Sequence, residues 1–227
     1  MSKMHESIPK KLYHIWVGPK DPPLKWHQTW IDKHPDWEYT LLDNDYMNSR
    51  TFKNQHILDV YWKQKRYEGV ADIIRYEVLY EHGGFIPPSD SICLHNIEEL
   101  FTEPIAYSVF ENEQVSPGYF SPTYAAPPGN TFLKLIIDHL GKWKEEDAKN
   151  NPPWCITGNS MLMQYRFLGG YEESGVREEE LGLKIFPSHY FIPYHFNAPE
   201  LEYKGTDKVY ARQMWGTTLN TYEQGTE

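Results

Sequence analysis

The sequence predicts an α/β fold built on a Rossmann-like open mixed sheet flanked by helices. Three observations support this prediction. The 227 residues are 40% hydrophobic, which is enough to bury one core without disulfides or a structural metal. Short aromatic and β-branched runs alternate with amphipathic stretches of helical period. No internal repeat or low-complexity linker divides the chain, so we predict one domain over residues 1–219 and a flexible tail over 220–227.

The first fifty residues predict a β-α-β unit. Lys11–Val17 is rich in aromatic and β-branched residues and is followed by Gly-Pro, which is typical of a strand that ends in a turn. Leu24–His34 carries Trp26 and Trp30 four residues apart, a helical spacing. Trp37–Leu42 then predicts a second strand, which ends at an Asp-Asn-Asp turn.

The next segment predicts two helices, over Ile57–Trp62 and Gly69–His82. The side chains of the second helix fall on two faces by helical geometry. The face expected to pack on the sheet holds Val70, Ile73, Ile74 and Val78, and the other holds Asp72, Arg75, Tyr76 and Leu79.

A glycine pair and two prolines follow this helix. Gly83-Gly84 predicts a left-handed helix end, and Phe85-Ile86 predicts a strand that Pro87-Pro88 must cut short. Asp90 is therefore expected at a strand end or turn. In open α/β sheets ligands bind at that edge.

The second half of the chain has weaker patterns. We predict strands around Pro104–Phe110, Tyr119–Ala126, Leu183–Pro187 and Asp207–Trp215, and helices over Thr131–Ala148 and Gly158–Leu168.

The net charge of −10 argues against a nucleic-acid partner, because a polyanion requires clustered Lys and Arg. An acidic protein that binds a diphosphate also needs a local cation. Cys93 and Cys155 lie in apolar surroundings and are predicted to be free thiols. No signal peptide or transmembrane run is recognisable, so we expect a cytoplasmic protein.

Three segments in order carry a family resemblance: IPKKLYHIWVGP, HPDWEYTLLDND and ADIIRYEVLYEHGGF followed by SDS. The chain resembles the glycosyltransferases with a DXD sugar-binding region, the family 32 mannosyl- and galactosyltransferases, and more remotely the clostridial glucosylating toxins. The resemblance implies a GT-A fold, a UDP- or GDP-hexose donor, a glycan or similar acceptor, and transfer of a hexose with retention of configuration.

The resemblance also implies roles for single residues. Trp16, with its neighbours Ile15 and Val17, matches the aromatic segment that holds the nucleotide base. Asp72 and Arg75 match the pair that binds the donor sugar and its phosphate. Asp90 matches the second aspartate of the DXD, which ligates a divalent cation, Mn²⁺ or Mg²⁺. These three charged residues are the predicted catalytic set.

Four positions depart from the resembled pattern. Ile86 stands where the pattern has Tyr, Pro88 replaces the first aspartate, Gln213 replaces a His, and Thr218 replaces a final Trp. Two alternatives therefore stay open. One is a sugar-nucleotide-binding protein that has lost the chemistry, and the other is a metal-independent transferase in which basic side chains replace the cation.

Each candidate also has an ordinary structural interpretation. Asp72 and Arg75 at i,i+3 could form a surface ion pair, Trp16 could belong to the core, and Asp90 could cap a turn. Acceptor-side candidates are Trp154, Thr157–Asn159 and Trp215, for which turn and core roles are the simpler interpretation. No zinc-hydrolase, G-x-S-x-G or phosphate-loop motif is present.

Overall fold

The computed structural model describes residues 7–122, 124–168 and 182–225. A six-stranded mixed sheet forms its centre, in the order β2-β1-β3-β6-β5-β7, and a two-stranded sheet joins β4 to β8. The strands are β1 Lys11–Ile15, β2 Glu38–Leu42, β3 Gly84–Phe85, β4 Ser91–Cys93, β5 Ala106–Val109, β6 Ala125–Ala126, β7 Leu183–Phe186 and β8 Ala211–Gln213. The predicted open mixed sheet is confirmed.

Helices cover the sheet. They are α1 Leu24–Lys33, α2 Asn44–Asn48, α3 Gln55–Lys63, α4 Tyr67–His82, α5 Thr131–Leu140, α6 Glu145–Asn150, α7 Pro153–Ile156 and α8 Asn159–Leu168. In the part of the chain that the structure describes, no helix combines the length and the apolar character needed to span a bilayer.

Strand β1 sits in the interior of the sheet, parallel to β2 on one side and to β3 on the other. Alternate side chains therefore enter separate cores. Tyr13 and Ile15 pack in the cluster that contains α4, whereas Leu12 packs with Trp30 of α1 in the second cluster. The β-α-β unit predicted from the first fifty residues is confirmed. It places the C-terminal end of β1 beside α4.

Helix α4 is buried on more sides than an amphipathic pattern predicts. Tyr76 and Leu79, assigned to the face away from the sheet, are fully buried in the same cluster as Val70 and Ile74. Helix α4 packs against α3 and α5 as well as against the sheet, so it has more than one buried face. The expected glycine end is present: Gly83 has φ 62° and its N–H donates to the Leu79 carbonyl at 2.9 Å.

The prediction of one helix over Thr131–Ala148 is wrong. Helix α5 ends at Leu140, and Gly141 closes its last turn. Helix α6 begins afterwards, where the backbone N–H of Lys144 donates to Oδ2 of Asp147 at 2.9 Å. A polar side chain at the first turn of α6 and the low helical propensity of Gly141 explain the break.

The end of the described chain packs against α1. Tyr222–Gly225 forms a short 3₁₀ helix in which both terminal residues are buried, and Gly225 lies against the ring of Trp26. The flexibility predicted for residues 220–227 is a property of motion and stays a prediction. Cys93 and Cys155 are free thiols, as expected.

Candidate functional site

A cleft of about 540 Å³ opens where β1 ends beside the first turns of α4. Its lining includes five of the six predicted site residues, namely Ile15, Trp16, Val17, Arg75 and Asp90, and also Lys20, Tyr67, Glu68, Ser89, Thr217 and Thr218. The N-terminal strand, the middle of the chain and its C-terminal segment therefore meet at one concave surface. The sixth predicted residue, Asp72, is not among the lining residues and lies one helical turn before Arg75 on α4.

The loop after β1 presents Trp16 to the cleft. The indole Nε1 of Trp16 donates to the Lys20 carbonyl at 2.7 Å, which orients the half-buried ring. The side chain of Asn44 holds the same loop from the other side: its Oδ1 accepts from the Gly18 N–H at 2.9 Å and its Nδ2 donates to the Gly18 carbonyl at 2.8 Å. These two hydrogen bonds hold the loop against Asn44.

Gly18 is required in that loop for two reasons. Its φ of 111° is unfavourable for residues with a side chain, and an added Cβ would lie 2.9 Å from the ring of Tyr67. Because Tyr67 also lines the cleft, the close contact between Gly18 and the Tyr67 ring lies at the cleft wall.

Arg75 provides a deep cationic group. Its Nη1 donates to the Ile86 carbonyl at 2.5 Å, which ties α4 to the segment that leads to Asp90. Burial lowers the pKa of the guanidinium, and the negative charge of Asp72 opposes that effect. An arginine remains protonated in proteins, so Arg75 carries a fixed fork of donors on the cleft wall.

Asp72 lies one helical turn before Arg75 and contacts the segment after α7. Oγ1 of Thr157 donates to Oδ2 of Asp72 at 2.8 Å. Burial raises the pKa of Asp72 to about 7, while this hydrogen bond and Arg75 oppose the rise. Asp72 and Arg75 are both half-buried, which disfavours the interpretation of an exposed surface pair.

Asp90 precedes β4, at a turn, and is 8% exposed. Its Oδ1 accepts from Nε2 of Gln213 at 2.6 Å, and its Oδ2 accepts from the Thr217 hydroxyl at 2.9 Å. Thus Gln213 and Thr217 orient the carboxylate that lines the cleft. Oδ2 of Asp90 also accepts from the Thr217 backbone N–H at 3.4 Å, so the side chain joins its own turn to the turn after β8.

The surroundings of Asp90 fit one hard cation. A carboxylate has about four acceptor positions, so its present hydrogen bonds leave room for a metal bond. Oε1 of Gln213 is also buried and lacks a hydrogen-bond partner among the residues that the structure describes. No group of three His, Cys, Asp or Glu side chains suited to a metal occurs in the same residues. Asp90 and Oε1 of Gln213 are two protein oxygens that could hold an ion that keeps its other sites for phosphate and water.

Several contacts escaped the sequence analysis. Lys20 carried no predicted role, yet it lines the cleft and its Nζ lies 4.1 Å from the centre of the Tyr222 ring. Asn44 was assigned to the turn after β2, and its amide in fact holds the Trp16 loop. An Asn directly after a strand was the available signal, but its partner Gly18 lies 26 residues earlier.

The acceptor-side candidates separate into two kinds. Trp215 is half-buried and packs edge-on against His195, with its Nε1 donating to the Tyr194 carbonyl at 3.1 Å. Asn159 donates to Glu111 at 2.7 Å, and His195 contacts the other carboxylate oxygen at 3.2 Å. Trp154, in contrast, is 55% exposed.

Comparison with known proteins gives one family match. Residues 24–107 match the model described as a glycosyltransferase sugar-binding region containing a DXD motif. The match includes α1, α4 and Asp90, but it ends before the segment that carries Gln213 and Thr217.

Curated relatives match at low identity. Inositol phosphoceramide mannosyltransferase 2 of Schizosaccharomyces pombe is 30% identical over 145 residues, which cover 60% of this chain and 39% of that protein. The uncharacterized glycosyltransferase L373 of Acanthamoeba polyphaga mimivirus is 24% identical over 149 residues, covering 63% and 59%. The chain therefore spans from about two fifths to about three fifths of the length of these relatives.

A solved structure shares the fold. The PaToxG Glycosyltransferase aligns with a TM-score of 0.60 and 15% identity, over 78% of this chain and 73% of that chain. The likeness confirms the predicted GT-A fold. At this identity it concerns the backbone architecture alone.

Proposed function

We propose, from the premise that residues 24–107 carry the sugar-binding region of the DXD-type glycosyltransferases on a GT-A fold, that this protein transfers a hexose from a nucleotide diphosphate sugar to a hydroxyl acceptor. The single observation that supports this most strongly is the shared cleft of Trp16, Arg75 and Asp90. An aromatic ring, a guanidinium and a carboxylate are the groups that a base, a sugar phosphate and a phosphate-bound cation require.

Different residues of the cleft bind different parts of the donor. Trp16, with Ile15 and Val17, binds the base at the end of β1. Arg75 donates to the sugar and phosphate oxygens, and Asp72 accepts from sugar hydroxyls when it is ionised. Lys20 adds a second positive charge at the open side of the cleft. Two cations offset the negative charge that develops on the departing diphosphate, which lowers the barrier.

Asp90 would hold Mn²⁺ or Mg²⁺, with Gln213 Oε1 as a second oxygen. When bound, the ion supplies charge neutralisation for the diphosphate. The chain's own contribution is to orient that carboxylate through Gln213 and Thr217, and to place it across the cleft from Arg75.

The hexose and acceptor follow from the relatives only as proposals. Two relatives are inositol phosphoceramide mannosyltransferases, which favours mannose as the hexose. Transfer with retention is proposed from the family resemblance. In such a reaction the leaving phosphate can accept the acceptor proton, so a separate protein base is not required.

A metal-independent transferase is the second candidate. It is favoured by the hydrogen bonds that Asp90 already accepts on both oxygens and by the two basic residues in the cleft. Removal of metal separates the candidates. Activity retained in excess EDTA would identify the metal-independent enzyme, and activity restored by Mn²⁺ would identify the metal-dependent one.

The test of the function is donor hydrolysis across a panel of UDP- and GDP-hexoses with Mn²⁺. We expect one donor to be cleaved, with loss of at least about a hundredfold in Arg75→Ala because a charged contact to the transition state is removed. Lys142→Ala, which removes an exposed basic residue outside the cleft, is the control and should retain activity. Donor binding without turnover would identify a degenerate binding protein, and absence of binding to every donor would contradict the proposal.

A further inference from the structure

Among the residues whose burial the structure describes, Trp154 of α7 is the aromatic side chain most exposed to solvent. It is 55% exposed, and every other Trp, Tyr and Phe whose burial is described is buried or half-buried. A single exposed apolar residue is common on protein surfaces and by itself indicates nothing. The position of Trp154 next to the donor-sugar carboxylate is the informative feature.

A short chain of contacts joins Trp154 to Asp72. A Cβ added at Gly158 would lie 2.9 Å from the Cα of Trp154 and 3.6 Å from Oδ2 of Asp72. Thr157, which directly precedes Gly158, donates a hydrogen bond from its hydroxyl to the same Oδ2 of Asp72 at 2.8 Å. A side chain at Gly158 would clash with the Trp154 backbone, so glycine lets the turn after α7 fold back on itself beside the carboxylate.

The backbone of this turn is held firmly. The N–H groups of Thr157 and Gly158 both donate to the Pro153 carbonyl, at 2.7 and 3.0 Å. The phenol of Tyr76, which is fully buried in α4, donates to the Thr157 carbonyl at 2.6 Å. Consequently α7 is anchored to α4, and Trp154 has a fixed position relative to Asp72.

Polar side chains follow this turn in the sequence. Asn159 immediately follows Gly158 and donates to Glu111, which also contacts the buried ring of His195. Carboxylate, amide and imidazole groups match the hydroxyl edges of a sugar, while an indole matches the C–H face of a pyranose ring. The segment from Trp154 to Asn159 thus carries an indole and an amide.

We infer that Trp154 is the stacking platform for the sugar ring of a glycan acceptor, next to Asp72. This inference rests on the proposed transferase function and adds the acceptor class and its entry side. The acceptor sugar packs its C–H face on the indole, and its reactive hydroxyl points toward the donor sugar bound at Asp72 and Arg75.

The test compares transfer to sugar with hydrolysis by water, using the donor that the wild type cleaves. The acceptor probes are the methyl glycosides and trisaccharides of mannose, glucose and galactose. In Trp154→Ala we expect the acceptor KM to rise about tenfold and the transfer-to-hydrolysis ratio to fall about tenfold, because one stacked aromatic contact is lost. Trp154→Tyr retains an aromatic face and should recover most of the ratio.

Leu24→Ala is the matched control, because Leu24 on α1 is also 55% exposed and lies on a different helix. It should keep the wild-type ratio. A wild-type ratio and acceptor KM in Trp154→Ala would overturn the inference, as would a wild type that hydrolyses the donor and transfers to none of the sugars. Failure of the wild type to cleave any donor would instead contradict the proposed function itself.

Discussion

Nε2 of Gln213 donates a 2.6 Å hydrogen bond to Oδ1 of Asp90, so a position that departs from the family pattern contacts the proposed cation-binding carboxylate. The two residues lie 123 positions apart in sequence. Their contact joins β8 to the turn before β4 and keeps Asp90 on the cleft wall. Substitutions at Gln213 therefore test both the geometry and the proposed ion.

Gln213→Glu should destabilise the protein unless a divalent cation is present. The isosteric change replaces a hydrogen-bond donor with a second buried carboxylate beside Asp90, which we expect to cost about 2 kcal/mol. The Tm in EDTA should fall by about 4–8 °C, and MnCl₂ should restore much of it by binding the native state. Thermal unfolding measures both effects.

Gln224→Glu is the control for Gln213→Glu, since it makes the same change of charge at an exposed position. It should leave the Tm and its response to Mn²⁺ close to those of the wild type. Equal behaviour of the two variants would show that Asp90 and Gln213 do not form a cation site.

Asp72→Asn should raise stability at alkaline pH and abolish transfer. Burial raises the pKa of Asp72 from 3.8 to about 7, so between these values the folded state binds more protons than the unfolded state. The contribution of Asp72 to the free energy of unfolding therefore falls as pH rises through this window. We expect the variant to match the wild type near pH 4 and to exceed it by about 1–3 kcal/mol near pH 8.

Urea unfolding of Asp72→Asn at the two pH values provides the measurement. Asp138→Asn is a control on an exposed helix surface of α5 and should show no gain at alkaline pH. A variant of Asp72 that is less stable than the wild type near pH 8 would contradict the assignment of a desolvated carboxylate.

Asn44→Ala should weaken nucleotide binding through the Trp16 loop. The change removes both hydrogen bonds to Gly18, and each contributes about 0.5–1.5 kcal/mol to the order of the loop. Calorimetric titration with UDP or GDP, whichever the wild type binds, should give a Kd about tenfold higher. Asn48→Ala on the exposed end of α2 is the control, and an equal Kd in both variants would refute a role for the Asn44 clamp.

His14 and His27 should limit stability in acid. Their rings stack with centroids 3.9 Å apart beneath the cleft, and Tyr39 packs beside them. Burial lowers the pKa of His27 to about 4. Burial also lowers the pKa of His14, and the charges of His27 and Arg75 lower it further. Because the unfolded state binds protons near pH 6.5 and the folded state does not, these residues reduce stability as pH falls below about 6.5.

His27→Phe should relieve part of this acid sensitivity while keeping a stacked ring. The difference in unfolding free energy between variant and wild type should favour the variant more near pH 5 than near pH 8. Comparing the pair cancels the opposite contribution of Asp72 in the same window. His82→Phe, at an exposed position, is the control, and a pH-independent difference for His27→Phe would contradict the burial argument.

Local patterns predicted the parts of the fold that depend on local physics. The spacing of Trp26 and Trp30 and the glycine pair after α4 each reflect backbone geometry, and both elements formed where expected. Periodicity separated two faces of α4 but did not show that Tyr76 and Leu79 are also buried, because a helix that packs against other helices has more than one buried face. The split between α5 and α6 was missed because the acidic and basic residues there fit either one helix or two.

The candidate site was predictable only in part for a related reason. The family resemblance predicted roles for Trp16, Asp72, Arg75 and Asp90. Three of them, Trp16, Arg75 and Asp90, line one cleft. The groups that orient them come from distant segments: Thr157 contacts Asp72 across 85 residues, and Thr217 contacts Asp90 across 127. Such pairings depend on tertiary packing and have no local signal.

The most direct test of the shared donor cleft is a crystal structure after soaking with UDP-glucose or GDP-mannose and Mn²⁺. We predict a nucleotide base against Trp16, a diphosphate between Arg75 and Asp90, and a hexose beside Asp72. A nucleotide sugar bound elsewhere, or a cleft that stays empty at saturating concentrations of both donors, would contradict the account.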